Sequence, residues 1–144
     1  MCSSDLVQVL DEHRIAIPDL SGNNRLDTMQ NLVANSGIGL LFVIPGLDET
    51  LRVNGRARIV SDPARLAPMA VQGKTPASAL EIAIVEVYFH CGKALIRSDL
   101  WNPDRRVERS RFPTLGRIVA DQITGIDADA ADANLAESYR SRLY

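Results

Sequence analysis

"IGLLFVIPGLDETLRVNGRARIV", residues 38–60, reads as a strand, a tight turn and a returning strand. "IGLLFVI" is a nearly continuous apolar run, the pattern expected of a strand buried on both faces. Pro45, Gly46 and Asp48 then turn the chain. From Thr50 onward the pattern alternates, with Leu51, Val53, Ala57 and Ile59 set against Arg52, Asn54, Arg56 and Arg58. In a strand this puts an apolar row on one face and a polar, cationic row on the other. Gly55 interrupts the apolar row and marks a bulge or a close backbone approach.

Upstream, "VQVLDEHRIAIPDL" reads as two short strands about a polar turn at Asp11, Glu12 and His13. Residues 25–34 read as a helix, because Leu26, Met29, Leu32 and Val33 recur at spacings of three and four. Downstream, Ser61 or Asp62 ahead of Pro63 starts a short helix that Pro68 limits. "LEIAIVEVYFHCG" is a further strand and "KALIRSDLW" a short helix or turn. "TLGRIVADQI" and "ADAADANLAESYRSRLY" read as two C-terminal helices. Strands dominate the middle and are not separated regularly by helices, which excludes a succession of βαβ units. The expected class is mainly β with helices (α+β), a small barrel or curled sheet. The domain reading is one domain over 1–144, with barrel strands and connecting helices in 7–103 and a helical segment in 104–144.

Composition narrows the function. Sixteen Lys and Arg stand against eighteen Asp and Glu, for a net charge of −2, and no basic block offers a surface for nucleic acid. No run has the length of a membrane span, and the two cysteines make neither a disulfide framework nor a zinc site. The expected location is cytoplasmic. "MCSSDL" at the start matches the in-frame translation of a common sequencing adapter. Residues 1–6 are therefore expected to be an assembly artefact, with the natural chain beginning further upstream.

Four constellations could carry chemistry. In "SGNNRLDTMQN", residues 21–31, Asn23, Asn24 and Arg25 stand at a helix start, where free N–H groups favour a capping side chain or a bound anion. An ordinary cap gives the same spacing, yet a cation there opposes the helix dipole unless an anion lies between. The polar row Thr50, Arg52, Asn54 and Arg56 is either a solvated face or a set of donors for a flat heterocycle. Lys93 and Arg97 share one side of a helix, where a common anionic ligand or plain solvent would suit both. His90 and Cys91 point to opposite faces of a strand, and Trp101 either stacks on a ring or closes the core. At the tail, Tyr139, Leu143 and Tyr144 share one side of the last helix and read as packing or subunit contact.

With these residues in view, the chain resembles the pyridoxamine 5'-phosphate oxidase-like family of FMN-binding split barrels. The resemblance rests on "GNNRLDTMQN" (22–31), "GLLFVIPG" (39–46), "ETLRVNGRA" (49–57) and "FHCGKALIRSDLW" (89–101), in that order, and covers most of residues 13–103. It implies that Asn24 and Arg25 hold the FMN phosphate. Thr50 falls where the family's "QVRVEG" strand carries a Gln that contacts the flavin, and Lys93, Arg97 and Trp101 reach the flavin or substrate pocket. It further implies a homodimer with FMN between subunits, in which Arg52 or Arg56 serves the partner's site. Relatives carry further strands and a "SPRGD"-like loop upstream of where this chain enters, so an unpaired barrel edge is expected.

The function implied is an FMN-dependent oxidoreductase acting on a small molecule, with catalytic residues and substrate unassigned and no metal expected. Two other readings stay open at this stage. One is a flavin- or haem-binding module without turnover, and the other an inactive gene fragment.

Overall fold

The computed structural model describes residues 6–20 and 26–141. The chain forms two compact units that divide between Trp101 and Asn102. In the first, the polar turn works as read: the His13 N–H donates to Asp11 Oδ1 over 2.9 Å and joins β1 (Gln8–Asp11) to β2 (Arg14–Asp19). After α1 (Asp27–Ala34), the Asn35 side chain accepts from the Gly37 N–H at 3.0 Å and leads into β3 (Gly37–Val43). Then come β4 (Thr50–Val60), α2 (Pro63–Leu66), β5 (Ser78–His90) and α3 (Lys93–Ser98). The strands form one antiparallel sheet in the order β1-β2-β5-β4-β3. Among the described residues β1 and β3 do not pair, so the sheet is open.

The alternation in β4 sorts the two faces. On one, Ile15, Val53, Ala57 and Ile82 pack with Leu32 of α1 into the main core. Burying one such side chain stabilises the fold by about 1.5–3 kcal/mol. On the other face, at the Val60 end of β4, Ala16, Val60 and Ala79 pack with Leu66 and Met69. Leu66 is delivered there by α2, whose start is fixed by Asp62 Oδ1 accepting from the Ala64 N–H at 3.0 Å, with Pro63 at the first position.

Three expectations change on folding. β3 is an edge strand rather than one buried on both faces; Leu41 is 53% exposed. Its position at the end of the sheet leaves one side without a neighbouring strand among the described residues. Of the α1 stripe only Leu32 is buried, since this eight-residue helix meets the sheet along a narrow line. In β4 it is Val60 rather than Ile59 that is buried, because α2 covers the opposite face at that end.

Gly55 marks both things its sequence position suggested. The register steps from Asn54 opposite Glu86 to Gly55 opposite Ile84, so the extra residue is Val85 on β5. A Cβ on Gly55 would collide with the Ala83 carbonyl oxygen and lie 2.9 Å from Ile82 Cγ2.

The second unit carries α4 (Leu115–Gln122) and α5 (Ala128–Ser141). Thr114 caps α4 by accepting from the Arg117 N–H at 3.2 Å, and Asp127 accepts from the Ala130 N–H at 2.8 Å at the start of α5. The two helices meet at Gly116, whose N–H donates to Asp132 Oδ1 at 2.7 Å. A Cβ on Gly116 would overlap the Ala128 carbonyl oxygen.

Candidate functional site

The face of β4 opposite the main core carries the polar row anticipated from its alternation. Thr50 opens it, only 6% exposed, with His90 of β5 on one side and Val43 of β3 on the other. Arg52 follows between Tyr88 and Leu41. Its Nε is buried and finds no hydrogen-bond partner among the described residues. Leaving such a donor unpaired costs about 1–3 kcal/mol, so the position favours an acceptor brought from outside. Further along, Asn54 Nδ2 donates to Glu86 Oε2 at 2.8 Å, and Arg56 Nη1 donates to Ser36 Oγ at 3.3 Å.

The Thr50 end of the sheet also gathers the segment that follows β5. A Cβ on Gly92 would lie 2.7 Å from Asp48 Cβ, so only glycine lets the two loops pack this closely. Trp101 Nε1 donates to the Leu47 carbonyl at 2.8 Å and pins the β3–β4 turn. The indole N–H is thus engaged within the fold, and the ring remains for contact. Lys93 and Arg97 lie one turn apart on α3 and are exposed. The fold therefore brings Thr50, Arg52 and the 93–101 segment to one end of the sheet. Asn24 and Arg25 lie outside the described residues, as do Leu143 and Tyr144.

A second cluster on the same face escaped the sequence reading. Glu81, 7% exposed, accepts from Arg58 Nη2 at 2.6 Å, Arg65 Nη1 at 2.7 Å and Arg14 Nη1 at 3.3 Å. Burial alone would push its carboxyl up, but the Arg58 hydrogen bond and the charges of Arg58, Arg65 and Arg14 outweigh it. The net effect holds Glu81 below the usual carboxylate range. Asp11 is lowered too, first by its hydrogen bond from Arg14 and then by the His13 N–H. The sequence signal for this cluster was weak: one acidic residue inside an apolar strand, with its three partners on three other elements.

The family profile of pyridoxamine 5'-phosphate oxidase matches residues 2–91, more than half of the chain. The chain belongs to that family. Members of the pyridoxamine 5'-phosphate oxidase family have a flavin-binding split-barrel fold and are often dimeric. The antiparallel α+β sheet is of this type. No curated protein matches the chain. Two solved structures of HupZ from Group A Streptococcus are similar. The first, a histidine-to-alanine variant, is 17% identical with a TM-score of 0.49, covering 59% of this chain and 73% of that one. The second is 16% identical with a TM-score of 0.49, covering 58% and 68%.

For a member of the pyridoxamine 5'-phosphate oxidase family, the donors at Thr50 and Arg52 suit the group expected there. A buried hydroxyl and a guanidinium N–H without a partner among the described residues are donors of the kind that the carbonyl and nitrogen acceptors of a flavin ring edge would take. Among the described residues no helix is long and apolar enough to cross a membrane.

Proposed function

We propose that the chain is an FMN-dependent oxidoreductase acting on a small molecule in the cytoplasm. The single observation that carries the reading is the buried Arg52 Nε beside Thr50, without a hydrogen-bond partner among the described residues, on a polar sheet face of a flavin-binding fold. Bound FMN would supply hydride chemistry at its ring, while the protein supplies position and electrostatics. In this reading Thr50 and Arg52 orient the ring edge, and Asn24 and Arg25 hold the phosphate. Lys93 and Arg97 bind an anionic part of cofactor or substrate, and Trp101 offers its ring for stacking.

A homodimer belongs to the same reading. Val85 and Phe89 are 74% and 71% exposed, and they lie on the β5 stretch beyond its pairing with β2. An apolar strip of this kind is commonly an interface.

The test is a titration of the protein with FMN, followed by quenching of Trp101, the one tryptophan of the chain. Saturable binding that weakens in Arg25→Ala, together with reduction of the bound flavin by NADPH or another hydride donor, supports the proposal. Binding without reduction by any donor supplied leaves a flavin-binding module instead. Absence of binding by the folded protein refutes both.

A further inference from the structure

Thr50 and His90 stand directly opposite each other on β4 and β5, and Arg52 and Tyr88 form the next opposed pair on the same face. In an antiparallel pair, directly opposed residues have Cβ atoms about 5 Å apart, and diagonal neighbours lie about 7–8 Å apart. The hydroxyl of Thr50, the guanidinium of Arg52, the phenol of Tyr88 and the imidazole of His90 therefore rise from four corners of one patch. Thr50 is buried, and Arg52 Nε has no hydrogen-bond partner among the described residues, whereas His90 is exposed. An acceptor laid on this patch meets donors of fixed charge from β4 and one donor of variable charge from β5. Histidine is the side chain whose charge ordinarily changes between about pH 5 and 8.

The charged groups adjoining His90 are of both signs. Arg52 is its diagonal neighbour, and Tyr88 shares its strand and face. The turn entering β4 carries Asp48, packed against Gly92, and Glu49. α3 carries Lys93 and Arg97, while Glu86 lies further along β5 and is engaged by Asn54 at 2.8 Å. The next strand over, β3, holds no charged residue. Arg52, Lys93 and Arg97 disfavour the imidazolium; Asp48, Glu49 and Glu86 favour it. With these influences opposed, an acceptor seated on the patch tips the balance towards the charged form. We propose that His90 is a further ring-binding residue and makes flavin binding proton-linked, the imidazolium giving the ring edge a charge-assisted bond and the neutral imidazole a weaker one. This inference rests on the flavin reading of Thr50 and Arg52. A bond from a charged donor is about twice as strong as one from a neutral donor. By reciprocity, a ligand that prefers the imidazolium draws a proton onto His90 as it binds.

FMN is the probe, titrated into the full chain from about pH 5 to 8 and followed by Trp101 fluorescence. The native protein is compared with His90→Gln, neutral throughout, and His90→Lys, charged throughout. The FMN phosphate titrates in the same range, but alike in all three proteins, so ratios of affinity isolate His90. The native protein is expected to bind about five- to tenfold more tightly than His90→Gln at the acid end, and equally at the alkaline end. His90→Lys keeps the advantage throughout. Calorimetry in buffers of different protonation enthalpy is expected to show more proton uptake on binding in the native protein than in His90→Gln. Should His90→Lys fail to fold, the native protein and His90→Gln decide. A native-to-variant ratio that stays constant across the range, or equal proton uptake, overturns the proposal and leaves the flavin reading of Arg52 standing. Absence of FMN binding in all three folded proteins overturns both.

Discussion

Arg58 Nη2 lies 2.6 Å from Glu81 Oε1, the two residues facing each other directly across β4 and β5. With Arg65 and Arg14 on the same carboxylate, this pair ties β2, β4, β5 and α2 together through one buried group. Glu81→Gln leaves Arg58 and Arg65 without this counter-charge and Arg14 with Asp11 alone, and is expected to destabilise the fold by about 1–3 kcal/mol in urea unfolding at neutral pH.

The same carboxylate gives stability a pH dependence. Its folded value lies below the ordinary 4.5, so the stabilisation is fully present above 4.5 and is lost as pH falls through the lowered value. Unfolding midpoints of the native protein and Glu81→Gln should stay apart from neutral pH down to that range and converge below it. A constant gap down to strongly acid pH would show that the charge on Glu81 contributes nothing.

Gly55 has no room for a methyl group, since its Cβ would meet the Ala83 carbonyl oxygen across the bulge. Gly55→Ala is expected to cost about 1–3 kcal/mol, measured by chemical denaturation. A neutral result would mean that the β4–β5 register can slip around Val85 without penalty.

Gly116 plays the corresponding part in the second unit, where α4 approaches the start of α5. Gly116→Ala should lower helical content and increase proteolysis within residues 115–141, while the sheet unit keeps its amide exchange protection. Helix propensity alone would make the change favourable by up to about 1 kcal/mol, so a stabilised variant would remove the close-approach argument.

At the flavin end, Arg52→Lys keeps the charge and deletes the Nε donor. FMN affinity should fall about tenfold, as expected for one hydrogen bond to a charged group, with the fold retained and the unliganded protein no less stable. Equal affinity in the two proteins would free Arg52 from any cofactor role.

The sequence by itself determined what depends on near neighbours. Alternation from Leu51 to Ile59 fixed the two faces of β4, and with them the placement of Thr50 and Arg52 in one polar row. The helix start at Asp62 and the turn at Asp11 were equally readable, because each is made by a side chain within three residues of its partner. The order of four motifs was enough to indicate the family, which the match over residues 2–91 bears out.

Tertiary structure decided what depends on residues far apart in the chain. An apolar run such as residues 38–44 looks alike in the centre of a sheet and at its edge; only the strand order made β3 an edge. Glu81 gave no local sign of its partners, because Arg14, Arg58 and Arg65 come from three elements at 67, 23 and 16 residues' separation. The buried Arg52 Nε is likewise a fact of packing, since burial of one atom depends on every strand and loop around it. Local pattern gives each residue a face; only packing determines what meets it there.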